Sequence, residues 1–150
     1  MKEGAIRMPD WDQQEQRIHA VLGQKKIGPS EALKRWYRHL VSHLVLPCDV
    51  TGIEDFRWEE FYVFGPGSAA EYRSLRKSRP SYQDVFELTA IEIEAASEWS
   101  MFPDQLKACV RRKSDNRQFI LGLSELKTTS EHSSRFQLLD DYAVWFVNDR

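Results

Sequence analysis

Residues 30–65 read SEALKRWYRHLVSHLVLPCDVTGIEDFRWEEFYVFG, and we expect the rest of the chain to fold around them. The first half predicts one amphipathic helix, because its apolar residues recur at helical spacing: Leu33, Trp36, Tyr37, Leu40, Val41 and Leu44. Ser30 is the expected N-cap, and Pro47 ends the helix because its ring forces Leu46 out of the helical region. The large aromatic residues on this stripe indicate that the helix forms a main wall of the core.

The second half of this segment and the middle of the chain predict mainly β-structure. CDVTGIEDF (48–56) and WEEFYVFG (58–65) are rich in β-branched and aromatic residues, which is typical of strands. A capping box of Ser68 and Glu71 predicts a short helix. YQDVFELTAIEIE (82–94) predicts a strand with Val85, Ile91 and Ile93 on one face. LKACVRR (106–112) and RQFILGL (117–123) predict a hairpin around a polar turn.

The two ends of the chain predict helices. Residues 1–28 are expected to form an N-terminal arm and a short helix that ends at Gly23, followed by a single α+β domain over residues 29–150. Trp99, Met101 and Phe102 are expected to lie in a connection that ends at Pro103. Near the C-terminus, Ser134 and Gln137 stand in capping-box register and predict a helix over about residues 135–147, although AVWFV (143–147) also fits the alternation of a strand. The chain is therefore predicted to be an α+β protein.

Composition limits the class of protein. The 150 residues are 41% hydrophobic and 29% charged, which is typical of one globular domain. A net charge of -2 argues against a surface built wholly for nucleic acid or anionic lipid, and no apolar stretch is long enough for a signal peptide or a membrane span. Cys48 and Cys109 lack CxxC spacing, so we expect buried, reduced thiols. We therefore expect a cytoplasmic protein with no membrane partner.

An acidic cluster is the first candidate site. Its five carboxylates surround the single Arg57 and place a net four negative charges in twelve residues: Asp49, Glu54, Asp55, Glu59 and Glu60. Calcium binds about six to eight oxygen atoms, which carboxylates on turns can supply. The spacing is not that of an EF-hand, and a solvated strand edge is the alternative interpretation. Asp141 is a further candidate, although a carboxylate near a helix N-terminus is stabilised without an ion.

Other patterns indicate less. His39 and His43 are four residues apart, a spacing that can hold a transition metal, but an H-E-x-x-H motif is absent and ordinary histidines on a helix are the simpler interpretation. No nucleophile elbow, P-loop or dinucleotide-binding motif occurs, so we do not expect an enzyme. Basic residues on the predicted hairpin could contact nucleic acid, or could simply face water: Lys107, Arg111, Arg112, Lys113 and Arg117.

Three segments carry a resemblance to a known family. WYRHLVSHLVLP (36–47), FILGLSEL (119–126) and QLLDDYAVWFVN (137–148) resemble the CcbP-like bacterial calcium-binding proteins, over about residues 33–148. The resemblance implies a compact, partly β-barrel domain preceded by a helix, which binds Ca²⁺ through surface carboxylates.

Together these observations lead to one hypothesis and one alternative. The hypothesis is a non-enzymatic intracellular protein with helices packed on a small antiparallel SH3-like barrel or sheet and a C-terminal helix. It binds Ca²⁺ through a set of carboxylates: Asp49, Glu54, Asp55, Glu59, Glu60 and Asp141. The alternative is a module for protein or nucleic-acid interaction on the same small barrel, with no metal and with the basic residues Arg111, Arg112, Lys113 and Arg117 at its surface.

Overall fold

The structure is a computed structural model that describes residues 11–23, 25–94 and 105–148. The described chain alternates short helices with antiparallel strands, and two 3₁₀ turns lie at Arg57–Glu59 and Leu123–Glu125. The helices are α1 (Trp11–Leu22), α2 (Pro29–His43), α3 (Glu60–Val63), α4 (Ala69–Leu75) and α5 (Ser134–Asn148). The strands are β1 (Cys48–Gly52), β2 (Phe86–Glu94), β3 (Gln105–Arg112), β4 (Gln118–Gly122) and β5 (Leu126–Thr128). The predicted α+β class is confirmed.

One five-stranded sheet with the order β4-β3-β2-β1-β5 carries the fold. Each neighbouring pair is antiparallel. The predicted hairpin is confirmed as β3 and β4, and Asn116 in its turn has a φ of 63°. Helix α2, in the N-terminal half of the chain, contacts β2 and β3, and the C-terminal helix α5 contacts β5, as expected. None of the described helices has the length and apolar character of a membrane span.

The core lies between these helices and the sheet. Trp36 of α2 is fully buried and meets Tyr142 of α5 edge to face, with ring centroids 5.8 Å apart. The Tyr142 hydroxyl accepts a hydrogen bond from the Leu106 amide of β3 at 3.1 Å. Ile18 of α1 joins the same core, while the boundary predicted at residues 28 and 29 stays a prediction. The helical stripe of the sequence is therefore a wall of the core, as predicted, except that Val41 at its edge is exposed.

The start and end of α2 differ from the prediction. Gly28 is the N-cap and Pro29 is the first helical residue, so Ser30 is not the cap. Proline suits this position because its missing amide hydrogen would have no partner in the first turn. The helix ends at His43, and the Leu44 amide donates to the Leu40 carbonyl at 2.8 Å, three residues before Pro47.

The face predicted for β2 is wrong for Val85, because a bulge changes the alternation between it and Ile91. The register shifts between Leu88 and Ala90, so Phe86 and Leu88 are buried before the shift and Ile91 after it. Val85, just before β2, is exposed. Ile93 lies on the same face as Ile91, opposite Leu106, and is exposed near the end of the strand. An inserted residue reverses which side chains face the core, and strict alternation does not predict where it occurs.

The strand predicted at residues 58–65 is also wrong. This segment forms a 3₁₀ turn followed by α3, because the Glu59 carboxylate folds back to accept the Phe56 amide hydrogen at 3.2 Å. The short helix after it is confirmed as α4, and the Glu71 amide donates to the Ser68 hydroxyl at 3.0 Å as predicted. The first ten residues of the predicted N-terminal arm and the connection that contains Trp99 lie outside the described residues.

Candidate functional site

The acidic segment begins where β1 leaves the sheet. The Gly52 amide donates to the Tyr82 carbonyl at 3.0 Å, and a Cβ on Gly52 would lie 2.6 Å from the Tyr82 Cα, so only glycine fits there. The next amide, of Ile53, donates to the Glu125 carbonyl at 2.9 Å. These contacts fix the point from which Glu54 and Asp55 emerge.

Glu59 does not face solvent; its carboxylate is fully buried. Oε1 accepts the amide hydrogens of Phe56 at 3.2 Å and Tyr82 at 2.8 Å. Oε2 accepts the hydroxyl hydrogens of Tyr72 at 2.5 Å and Ser81 at 2.7 Å. Burial and the bond to Glu59 raise the pKa of the Tyr72 hydroxyl. Four protein donors thus bind the carboxylate of Glu59, which was predicted from the sequence to be a Ca²⁺ ligand.

The other carboxylates of the cluster lie at the surface. Glu54 and Glu60 are exposed and Asp55 is half-buried. Among the described residues, no hydrogen bond or ion pair engages the side chains of these three. Asp49 on the outer face of β1 pairs with the Lys113 ammonium at 3.0 Å. The segment therefore presents three unengaged carboxylates and one in an exposed ion pair.

Asp141 lies on α5 and is buried against α1. Its oxygens accept hydrogen bonds from the Arg17 guanidinium at 2.8 and 3.1 Å and from the Gln14 amide at 2.9 Å. The Gln14 amide also donates to Asp140 at 2.9 Å. Asp141 thus links the N-terminal and C-terminal helices. In the ranges that the structure describes, no three His, Cys, Asp or Glu side chains form a group that could hold a metal ion.

The two histidines of α2 lie against each other. Their ring centroids are 4.4 Å apart, and the His43 Nδ1 is 2.7 Å from the His39 carbonyl oxygen. Burial and the neighbouring His43 lower the pKa of His39, although Asp141 opposes the shift. Two imidazoles without a third ligand from the described residues favour the simpler interpretation of ordinary helix histidines.

Four of the five basic candidates on the β3–β4 hairpin, Arg111, Arg112, Lys113 and Arg117, pair with carboxylates. Arg111 pairs with Glu87, and Lys113 pairs with Asp49. Arg117 lies 3.4 Å from Asp115. These cations are partly neutralised within the fold, which makes the hairpin a poor match for a phosphate backbone.

Arg112 is buried rather than presented to solvent. Its guanidinium donates to Asp84 at 3.0 Å and Asp115 at 2.7 Å. It also donates to three main-chain carbonyls, those of Arg76, Lys77 and Arg79. The bond from Arg112 lowers the pKa of the Asp115 carboxyl to about 2. Arg112 therefore fixes the segment after α4 to the hairpin.

The partners of Glu59 were missed by reasoning from sequence. Tyr72 and Ser81 lie 13 and 22 residues away, and no local pattern connects them to the acidic cluster.

The pair Cys48 and Cys109 was predicted correctly as free thiols, with Cys48 buried and Cys109 half-buried. Burial raises the pKa of both thiols.

Comparison with known proteins identifies the fold. No protein-family model matches the sequence, and no curated protein matches it. The crystal structure of CcbP from Anabaena aligns with a TM-score of 0.55 and 13% identity, over 97% of this chain and 95% of that chain. This chain has the fold of CcbP.

A second solved structure extends the likeness. It is a calcium-binding protein in its calcium-binding form, with a TM-score of 0.54, 14% identity, and 91% and 90% of the two chains covered. The resemblance inferred from residues 33–148 is confirmed for the fold. Identity at this level shows architecture and leaves the ligand to be argued from the residues themselves.

Proposed function

We propose that this protein binds Ca²⁺ through the surface carboxylates on β1 and in the segment that follows it, and that it does so without catalysing a reaction. The observation that carries the proposal is its likeness, over nine-tenths of both chains, to a calcium-binding protein in its calcium-binding form. A second support is chemical, because unengaged carboxylates at a turn are the oxygen ligands that Ca²⁺ prefers.

Four of the six candidate carboxylates suit this role if the ion draws them together, because no three of them already form a metal-holding group among the described residues. Glu54, Asp55 and Glu60 have oxygens that no described residue engages, and Asp49 can exchange Lys113 for the ion. Glu59 and Asp141 would have to release several protein donors before they could bind an ion. The free energy lost with those buried hydrogen bonds exceeds the free energy gained from an ion at the surface. In this proposal those two residues hold the segment and the helices, while main-chain carbonyls and water complete the coordination of the ion.

The test is calorimetric titration of the chelator-stripped protein with Ca²⁺. The variant Glu54→Gln/Glu60→Gln should weaken binding by about tenfold or more, because charge count sets the affinity of such sites. The matched control Glu15→Gln/Glu131→Gln makes the same chemical change at two other exposed positions and should leave the affinity unchanged. No heat at millimolar Ca²⁺, or equal losses in both variants, would contradict the proposal.

Lys113 gives a second test with the opposite sign. Its ammonium competes with the ion for Asp49, so Lys113→Met should tighten Ca²⁺ binding. The gain should be small, because an exposed pair contributes about 0–1 kcal/mol. Weaker binding in this variant would exclude Asp49 as a ligand.

A further inference from the structure

The segment from Arg57 to Arg79 forms a surface lobe that exposes apolar side chains. It contains α3, the turn Gly65-Pro66-Gly67 and α4, and neither helix buries a residue. Phe61, Val63 and Phe64 are 53%, 39% and 79% exposed, and they fall within four consecutive residues. Side chains this exposed contribute little to the core, and a cluster of them marks a surface that contacts something else. We name this segment the aromatic lobe.

The lobe has an ordered internal scaffold. Tyr62 of α3 and Tyr72 of α4 stack with ring centroids 5.6 Å apart, and the Trp58 ring lies 5.7 Å from that of Tyr72. The Gly67 amide donates to the Phe61 carbonyl at 3.1 Å. Trp58 Nε1 donates to the Pro80 carbonyl at 2.6 Å, which fixes the lobe to the body of the protein. Phe61 and Phe64 are therefore presented by a defined turn.

Unpaired cations accompany these apolar side chains. Arg57, Arg73 and Lys77 are exposed, and they form no ion pair in the part of the chain that the structure describes. Arg79 lies over the Trp58 ring, with its guanidinium carbon 5.5 Å from the ring centroid. The lobe contains five Lys and Arg residues and three Glu residues, so its formal net charge is +2 although the whole chain has a net charge of -2. Its charge complements an anionic partner.

We propose that the aromatic lobe docks on an anionic phospholipid surface. Phe61, Val63 and Phe64 enter the interface between headgroups and acyl chains, while cations of the lobe lie at the phosphates. A fluid hydrocarbon layer accepts protruding side chains without a preformed pocket. A nucleic-acid partner fits less well, because the aliphatic Val63 between the two phenylalanines offers no ring for a base to stack on.

This inference differs from the absence of a membrane partner expected from the whole-chain charge. That expectation rested on the summed charge and on spanning segments, and neither reports a local patch at the surface. Docking of this kind needs only a few interfacial side chains and a basic surround. Glu60 of the proposed ion site lies in the lobe beside Phe61. The docking contacts come from apolar side chains and cations, so a test made with a calcium chelator separates docking from Ca²⁺ binding.

The test is co-sedimentation of the full chain with vesicles that contain about 30% phosphatidylserine, in low salt and with a calcium chelator. Phe64→Ser should lower the partition coefficient by about tenfold or more, since burial of a phenylalanine contributes at least that factor. The matched control Ile120→Ser changes a 61%-exposed apolar residue on β4 and should leave binding unchanged. Circular dichroism of both variants confirms that they are folded.

Two charge-reversal variants, one in the lobe and one outside it, complete the experiment. Arg73→Glu/Lys77→Glu should abolish binding, whereas Lys34→Glu on α2 should reduce it only slightly, and raising the salt concentration should weaken binding of the wild type. Equal binding by Phe64→Ser and Ile120→Ser overturns the proposal, as does the absence of sedimentation or equal binding to neutral phosphatidylcholine. Preferential binding of single-stranded DNA that depends on the same residues also overturns it in favour of a nucleic-acid partner.

Discussion

The buried carboxylate of Glu59 gives the most direct test of how the acidic segment is held. Glu59→Ala removes the acceptor of two main-chain amides, the buried one of Phe56 and the partly buried one of Tyr82. A buried donor left without a partner costs about 1–3 kcal/mol, so the two amides together predict a loss of about 2–6 kcal/mol in the free energy of unfolding. That is a large part of the about 5–15 kcal/mol typical of a domain.

Glu59→Gln separates the loss of charge from the loss of the acceptor. The amide oxygen can still accept the two main-chain hydrogens, and the hydroxyls of Tyr72 and Ser81 can rotate to accept from the new NH₂ group. Its cost should therefore be smaller, about 1–3 kcal/mol, which is the range of a hydrogen bond to a charged group. The neighbouring Glu60→Ala is the matched control and should cost no more than about 1 kcal/mol.

Urea denaturation followed by tryptophan fluorescence measures all three variants. The expected order of destabilisation is Glu59→Ala, then Glu59→Gln, then Glu60→Ala, with similar denaturant slopes. A Glu59→Ala protein as stable as Glu60→Ala would refute the assignment of Glu59 as a structural anchor. Calcium titration of the folded Glu59→Gln protein adds a second criterion. Loss of Ca²⁺ binding in this variant would show that Glu59 is a Ca²⁺ ligand after all.

Three further predictions concern the other buried and titrating groups. Arg112→Met should lower the free energy of unfolding by about 3–5 kcal/mol, because it leaves Asp84 and three carbonyls without their donor. Arg111→Met at the surface should lower it by about 1 kcal/mol or less in the same urea assay. Arg112 holds the pKa of Asp115 at about 2, below the ordinary 3.8, so the stability it contributes is present above pH 3.8 and is lost as the pH falls towards 2. Asp115→Asn should flatten that part of the curve of stability against pH. Burial and His43 lower the pKa of His39, so the neutral ring is favoured in the folded state and stability should fall as the pH drops below 6.5. An NMR titration midpoint of His39 above 6.5 would contradict this.

Features of the fold that depend on nearby residues were predicted well. The apolar stripe of α2, the Ser68 cap of α4 and the β3–β4 hairpin all follow from patterns within about a dozen residues. The free thiols followed from the absence of CxxC spacing. Errors appeared where a local pattern has two solutions. The aromatic segment 58–65 satisfies β-propensity, yet the bond between Glu59 and the Phe56 amide turns it into helix.

In the candidate site, too, some features depend on nearby residues and others on residues distant in sequence. Sequence alone determined that five carboxylates lie close together along the chain after Pro47 and that they leave an excess of negative charge there. It could not distinguish Glu59 from its neighbour Glu60, since both are the same residue type in the same segment. Only the tertiary structure buries one and exposes the other, because the donors that stabilise a buried carboxylate come from Tyr72, Ser81 and Tyr82 across the fold. Burial of a charge depends on partners that are distant in sequence, and folding alone brings those partners together.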